Sequence, residues 1–304
     1  MMEGEQPNEV LPRVRELRER VQAPVREAND LGGVLWGDWL SPPVTRLFLK
    51  LGLSPTVATV GMLPTGLLGC LLVALGGGYS VAGAVLLVLF YVLDCVDGEV
   101  ARYRRQDKFF WSYADFFFGV WVMCFFYIAL GVHAARYSGE PWLGILGAVC
   151  VVLFTTKKFV DVSHIFLTIQ HIILARGEQR RRFSDEVGFD PHDEMPPPDR
   201  GDRQATTIAR RDVLRRYGSP VGLFRGVIMN FHIGIVLFLL ASIIDLLIPP
   251  FTAAGVPIDL KSLFLIGYFC LLSFNAADYF IDGMRGGFIR KSRELVEALQ
   301  GRRT

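Results

Sequence analysis

The chain has no two cysteines at metal-ligating or redox spacing: Cys70, Cys95, Cys124, Cys150 and Cys270 stand singly within apolar stretches. That excludes zinc-ribbon and disulfide-scaffold classes and marks the five as reduced residues among apolar neighbours. Excess charge is also lacking, because 32 Lys and Arg against 30 Asp and Glu leave a net charge of +2. Bulk charge therefore implies no nucleic-acid partner, and the placement of Arg along the chain matters more than the sum. The N-terminal stretch is rich in Arg and Glu and carries no apolar run of the length a secretory signal needs, so no cleaved leader is expected. No internal repeat is visible. The repeated pair of broken helices typical of transporters is missing, which disfavours that class despite polar residues in the later apolar runs.

What is abundant is apolar surface. Hydrophobic residues make up 51% of the chain and Phe alone numbers 23, above the usual apolar share of a soluble domain. Apolar runs long enough to cross about 30 Å of hydrocarbon as helices occur at 54–76, 79–100, 112–134, 142–174, 222–249 and 259–283. The expected fold is thus an all-α integral membrane protein of six transmembrane helices. The fourth run is too long for one crossing, and its part from 161 to 175 is expected to kink or project. Loops on one side carry only Arg136 and Lys261 as basic residues. The other side carries Arg102, Arg104, Arg105 and Lys108, ten arginines from Arg176 to Arg216, and Arg285, Arg290, Lys291 and Arg293. The positive-inside rule then places both termini in the cytoplasm, as an even span count requires.

Ahead of the first span, Trp36, Trp39, Leu40, Val44, Leu47, Phe48 and Leu51 recur at steps of three and four, with Asp38, Arg46 and Lys50 off that face. This pattern predicts an interfacial amphipathic helix that ends near Gly52-Leu53-Ser54-Pro55, with an ordinary amphipathic core helix as the alternative. The organisation expected is a cytoplasmic N-terminal segment (1–33), the interfacial helix (34–52), a six-helix domain (53–284) with a cytoplasmic loop (176–218), and a cytoplasmic tail (285–304).

Chemistry concentrates where the second span ends. Asp94 and Asp97 lie three residues apart on one helical face. A short basic connection then makes the third span an antiparallel neighbour, and Asp115, about one turn in, can face them. A carboxylate deep in a membrane helix costs roughly 2.5–3.5 kcal/mol, so three together need a partner. A hard divalent cation, Mg²⁺ or Mn²⁺, is one such partner, and it keeps coordination sites open for phosphate oxygens. The alternative is a helix-end network in which the aspartates pair with Arg102, Arg104 and Arg105. Beside them Gly98 and Ala101 are small enough for a ligand to approach closely, and Arg102 could meet a phosphate.

Asp94-Cys-Val-Asp97-Gly98-Glu-Val-Ala101-Arg102 resembles the first half of the signature of the CDP-alcohol phosphotransferase family, DxxDGxxAR, which continues after about eight residues as GxxxDxxxD. The second half is partial: Trp111 and Gly119 stand where the family has Gly and its last Asp, while Asp115 matches. The stretch 34–134 carries the resemblance. It implies that Asp94, Asp97 and Asp115 hold Mg²⁺ or Mn²⁺, and that Asp94, Gly98, Ala101 and Arg102 bind the nucleotide of a CDP-linked donor such as CDP-diacylglycerol. An acceptor alcohol would then attack the β-phosphorus and release CMP, forming a phospholipid or related phosphodiester. It also implies a cytoplasmic-side site, contact with membrane lipids, and homodimerisation. The family's general base is the Asp missing at Gly119, so a non-catalytic member that binds a CDP-lipid, nucleotide or partner protein is the competing expectation. His164 is a substitute base of weaker standing. Lys157 and Lys158, near Asp161 in the fourth run, could bind an anionic acceptor or lipid phosphate, or could snorkel to the interface. Asn230, His232, Asn275 and Asp278 are equally ambiguous.

Overall fold

The computed structural model describes residues 12–22, 36–106, 109–160, 162, 231–248, 250–253 and 255–284. Their elements run α1 (Val14–Leu17), continued by a wide π turn over Arg18–Gln22, then α2 (Asp38–Lys50), α3 (Pro55–Leu75), α4 (Gly78–Arg104), α5 (Phe109–Ser138), α6 (Pro141–Val160), α7 (Phe231–Leu247), β1 (Phe251–Ala253), β2 (Val256–Ile258) and α8 (Leu260–Met284). Among them α3, α4, α5, α6 and α8 are long and apolar enough to cross a membrane, and α7 is a shorter apolar helix. The chain is therefore a mostly helical, multi-pass membrane protein. One departure from the all-α expectation is the antiparallel hairpin of β1 and β2, with Phe251 opposite Ile258. The part of the fourth run expected to project lies, except for Val162, outside the described residues, as do the loop 176–218 and the tail.

The chain divides into two compact units, one of residues 1–151 with 205–271 and the other of 152–204 with 272–304. In the first, α3 packs on α4 and α5, while α2 and α7 each pack on α4. Small residues allow the closest of these approaches. A Cβ on Gly83 would lie 2.6 Å from the Gly69 carbonyl oxygen, so α3 and α4 meet backbone to backbone. Between α5 and α6, a Cβ on Gly147 would lie 2.9 Å from Gly131 Cα. Packing without a hydrophobic driving force between spans favours such small-residue contacts. Aromatic rings fill the core: Phe126 meets Phe238 edge-on at 5.2 Å, and Tyr127 meets Tyr268 at 5.3 Å. Leu71 and Leu75 of α3, Leu89 of α4 and Ile145 of α6 are exposed, the outward apolar face a membrane helix presents to lipid.

The break before α3 falls where the sequence put it. Gly52 takes a left-handed φ of 68° after α2 ends, and Pro55 opens α3 at its first position, where a missing N–H costs nothing. On α2 the polarity is inverted relative to a soluble helix. Trp39, Leu40, Leu47 and Leu51 are exposed, whereas Asp38, Ser41 and Thr45 are buried.

At the end of the first unit where α5 stops, a buried charged network joins three helices, α5, α7 and α8. Asp259 caps α8, accepting from the Ser262 amide at 2.8 Å and its hydroxyl at 2.6 Å. His133 Nε2 of α5 lies 2.7 Å from Asp259 Oδ2. Lys261 Nζ reaches Asp245 of α7 at 2.7 Å and Asp259 at 3.1 Å. Burial alone would raise the Asp259 pKa, but hydrogen bonds from His133 and Ser262 and the Lys261 charge hold it well below the usual carboxylate range. The second unit contributes the end of α6 and the second half of α8, with Phe154, Leu272 and Asn275 buried and Asp278 exposed.

Candidate functional site

One cavity of about 430 Å³ is lined by Asp94, Asp97, Gly98, Ala101, Arg102, Arg105, Gln106 and Asp115. The first five lie on α4 at helical spacing, and Asp115 comes from α5 across a short connection, so the walls are set by local periodicity and one tight turn. Arg105 forms that turn in a left-handed conformation, φ 52°, an uncommon one for a residue with a side chain. The amides of Arg105 and Gln106 close the end of α4 by donating to the Arg102 and Ala101 carbonyls, at 3.3 and 3.0 Å.

Inside the cavity each carboxylate has its own setting. Asp97 is buried, and its Oδ2 accepts from the Thr59 hydroxyl of α3 at 2.6 Å. Asp94 is half-buried, and Asp115 is half-buried with its Oδ1 withdrawn from solvent. These are hard oxygen donors suited to Mg²⁺ or Mn²⁺. Among the described residues, however, no three carboxylate, imidazole or thiol groups converge closely enough to hold a metal ion. Arg102 folds back along its own helix, so that a Cβ on Gly98 would lie 2.9 Å from its Nη1. The space that the small residue leaves is filled by this guanidinium, and Arg102 Nε donates to the Val21 carbonyl at 2.8 Å.

Six of the positions singled out in the sequence, Asp94, Asp97, Gly98, Ala101, Arg102 and Asp115, come together in this cavity. Gly119, one turn beyond Asp115 on α5, is partly buried, and a Cβ built on it meets nothing within 4 Å. Lys157 and Lys158 are half-buried on α6, in the second unit; Lys158 Nζ stands 5.8 Å from the Phe154 ring centroid. His164, Asp161 and Asn230 lie outside the described residues, and the side chains of Trp111 and His232 lie outside them too.

Sequence reasoning passed over Glu99, which sits between the motif residues but does not line the cavity. It is buried, and three donors surround it: the Gln22 amide at 2.8 Å, the Ser41 hydroxyl at 2.5 Å and the Thr45 hydroxyl at 2.5 Å. A signal was available. Glu99 is a third carboxylate on the same helix end, and Ser41 and Thr45 are hydroxyls four residues apart on an amphipathic helix.

No family model matches the chain, and a search of curated proteins finds no match either.

Proposed function

We propose that the chain is a membrane phosphotransferase of the CDP-alcohol type. It would move a phospho-alcohol group from a CDP-linked donor, such as CDP-diacylglycerol, to an acceptor hydroxyl and release CMP. The observation that supports this is the gathering of Asp94, Asp97, Gly98, Ala101, Arg102 and Asp115 around one cavity. In this reading Asp94, Asp97 and Asp115 would be the residues that hold Mg²⁺ or Mn²⁺, and the ion would supply positive charge against the donor pyrophosphate. Arg102 and Arg105 supply the remaining positive wall. The outward Trp39, Leu40 and Leu47 of α2, with Leu51 just beyond its end, suit a helix lying in the interface, α7 makes a sixth crossing, and both termini are cytoplasmic.

A second reading, donor binding without turnover, is favoured by Gly119. Its surroundings are open and it brings no carboxylate where the acceptor hydroxyl would give up its proton. The deciding experiment is CMP release by the full chain in nanodiscs with Mn²⁺, CDP-diacylglycerol and a panel of acceptor alcohols. Release that needs both metal and one acceptor, and that Asp94→Asn abolishes without lowering the unfolding temperature, supports the enzyme. Metal-dependent CDP-diacylglycerol binding without release supports the second reading. If Asp94→Asn and Asp97→Asn both bind CDP-diacylglycerol as the unaltered chain does, the site assignment is wrong.

A further inference from the structure

The segment 12–22 is seated against the helix that carries the motif. Leu17, Val21 and Gln22 are buried, and the Arg18 guanidinium stands 4.5 Å over the Trp39 ring of α2. The Gln22 amide donates to Glu99 Oε1 at 2.8 Å, with longer contacts of 3.3 Å to the Asp38 carbonyl and the Ser41 hydroxyl. The neighbouring Val21 carbonyl accepts from Arg102 Nε at 2.8 Å. Glu99 and Arg102 are three apart on α4, so one stretch of chain grips a buried carboxylate with one residue and orients a cavity cation with the next.

We propose that Glu99 and Gln22 are positioning residues for Arg102: their hydrogen bond seats the Val21 carbonyl on the guanidinium and holds that cation at the cavity wall above Gly98. The proposal rests on the reading of the cavity as a CDP-donor site. An arginine side chain has several rotatable bonds, and a fixed carbonyl on Nε selects the rotamers that leave its terminal nitrogens for a phosphate. Glu99 is the strong end of the clamp because its three donors come from two segments distant in sequence, and a hydrogen bond to a charged group is worth more than a neutral one.

The test uses the full chain in nanodiscs with two readouts, amide hydrogen exchange of residues 12–22 and the Kd for CDP-diacylglycerol with Mn²⁺. Glu99→Ala is expected to raise exchange across 12–22 and to weaken CDP-diacylglycerol about tenfold or more, the scale of one lost hydrogen bond to a charged group. The exchanged pair, Glu99→Gln with Gln22→Glu, restores amide against carboxylate and should recover both readouts. Gln22→Ala serves in place of Glu99→Ala if that variant does not fold. Faster exchange with an unchanged Kd overturns the proposal and leaves Glu99 as an anchor for the segment alone. Unchanged exchange overturns the clamp itself. If Asp94→Asn and Asp97→Asn both retain CDP-diacylglycerol binding, the donor-site reading has failed and the positioning role falls with it, a case told apart by exchange that still rises in Glu99→Ala.

Discussion

Lys261→Met isolates the buried charge network at the start of α8. Lys261 is only 3% exposed and stands between two carboxylates, Asp245 at 2.7 Å and Asp259 at 3.1 Å. Methionine conserves the length and apolar stem of the side chain, so packing is largely retained and the charge alone is lost. Asp259 keeps His133 and Ser262 as partners. Asp245 keeps the amides of Leu260 and Lys261, at 2.9 and 3.2 Å, but the two buried carboxylates then face each other with no cation between them. Removing one partner of a buried ion pair costs about 3–5 kcal/mol. For a chain of this size that corresponds to a fall in Tm on the order of 10 °C. Thermal unfolding of the purified chain in detergent measures it, with Lys261→Met combined with Asp245→Asn as the second arm. Neutralising the stranded carboxylate should recover a large part of the loss. A Lys261→Met protein that unfolds at the unaltered temperature would refute the reasoning, because the pair would then contribute nothing to stability.

Three further outcomes are expected. Because Asp259 is held below its ordinary pKa, its contribution to stability is complete above the usual aspartate range and is lost as pH falls below about 4; Tm measured against pH should show that loss reduced in Asp259→Asn. Gly119→Asp meets no steric obstacle, so if the chain lacks only a base, CMP release should rise by a factor within about 10²–10⁴, and an unchanged rate would place the acceptor's proton elsewhere. Gly83→Ala forces a methyl to within 2.6 Å of the Gly69 carbonyl and 2.9 Å of the Val73 nitrogen, and should cost about 1–3 kcal/mol by overpacking. Gly119→Ala, in open space, is the control that should leave Tm unchanged or slightly raised.

The sequence made legible what depends on short range. Asp94 and Asp97 share a face because helices repeat every 3.6 residues, and Asp115 joins them because the connection from α4 to α5 leaves little room for another arrangement. The end of α2 and the start of α3 followed from Gly52 and Pro55. What it did not disclose depends on contacts far along the chain. The partners of Glu99 are 77, 58 and 54 residues away, and no periodicity reports them. Lys261 read as a cation at a loop end on the side poor in basic residues, whereas it is buried between Asp245 and Asp259. The hairpin hid in a stretch of prolines and glycine that reads as irregular. The convergence of the aspartates on a metal-sized point was expected and is not shown among the described residues, since spacing fixes a shared face but not the rotamers upon it.

The contact of α3 with α4 at Gly69 and Gly83 has a mechanical consequence. Backbones in direct contact at that point cannot approach further, so any tilt of one helix against the other would pivot there. Asp97 lies fourteen residues along α4 from Gly83, about 21 Å along the axis. A ten-degree tilt at the pivot therefore displaces the cavity wall by about 4 Å, more than the width of a water molecule. The Thr59 hydroxyl on Asp97, 2.6 Å away, ties the two helices together at the far end of this lever, where such a tilt would be felt most.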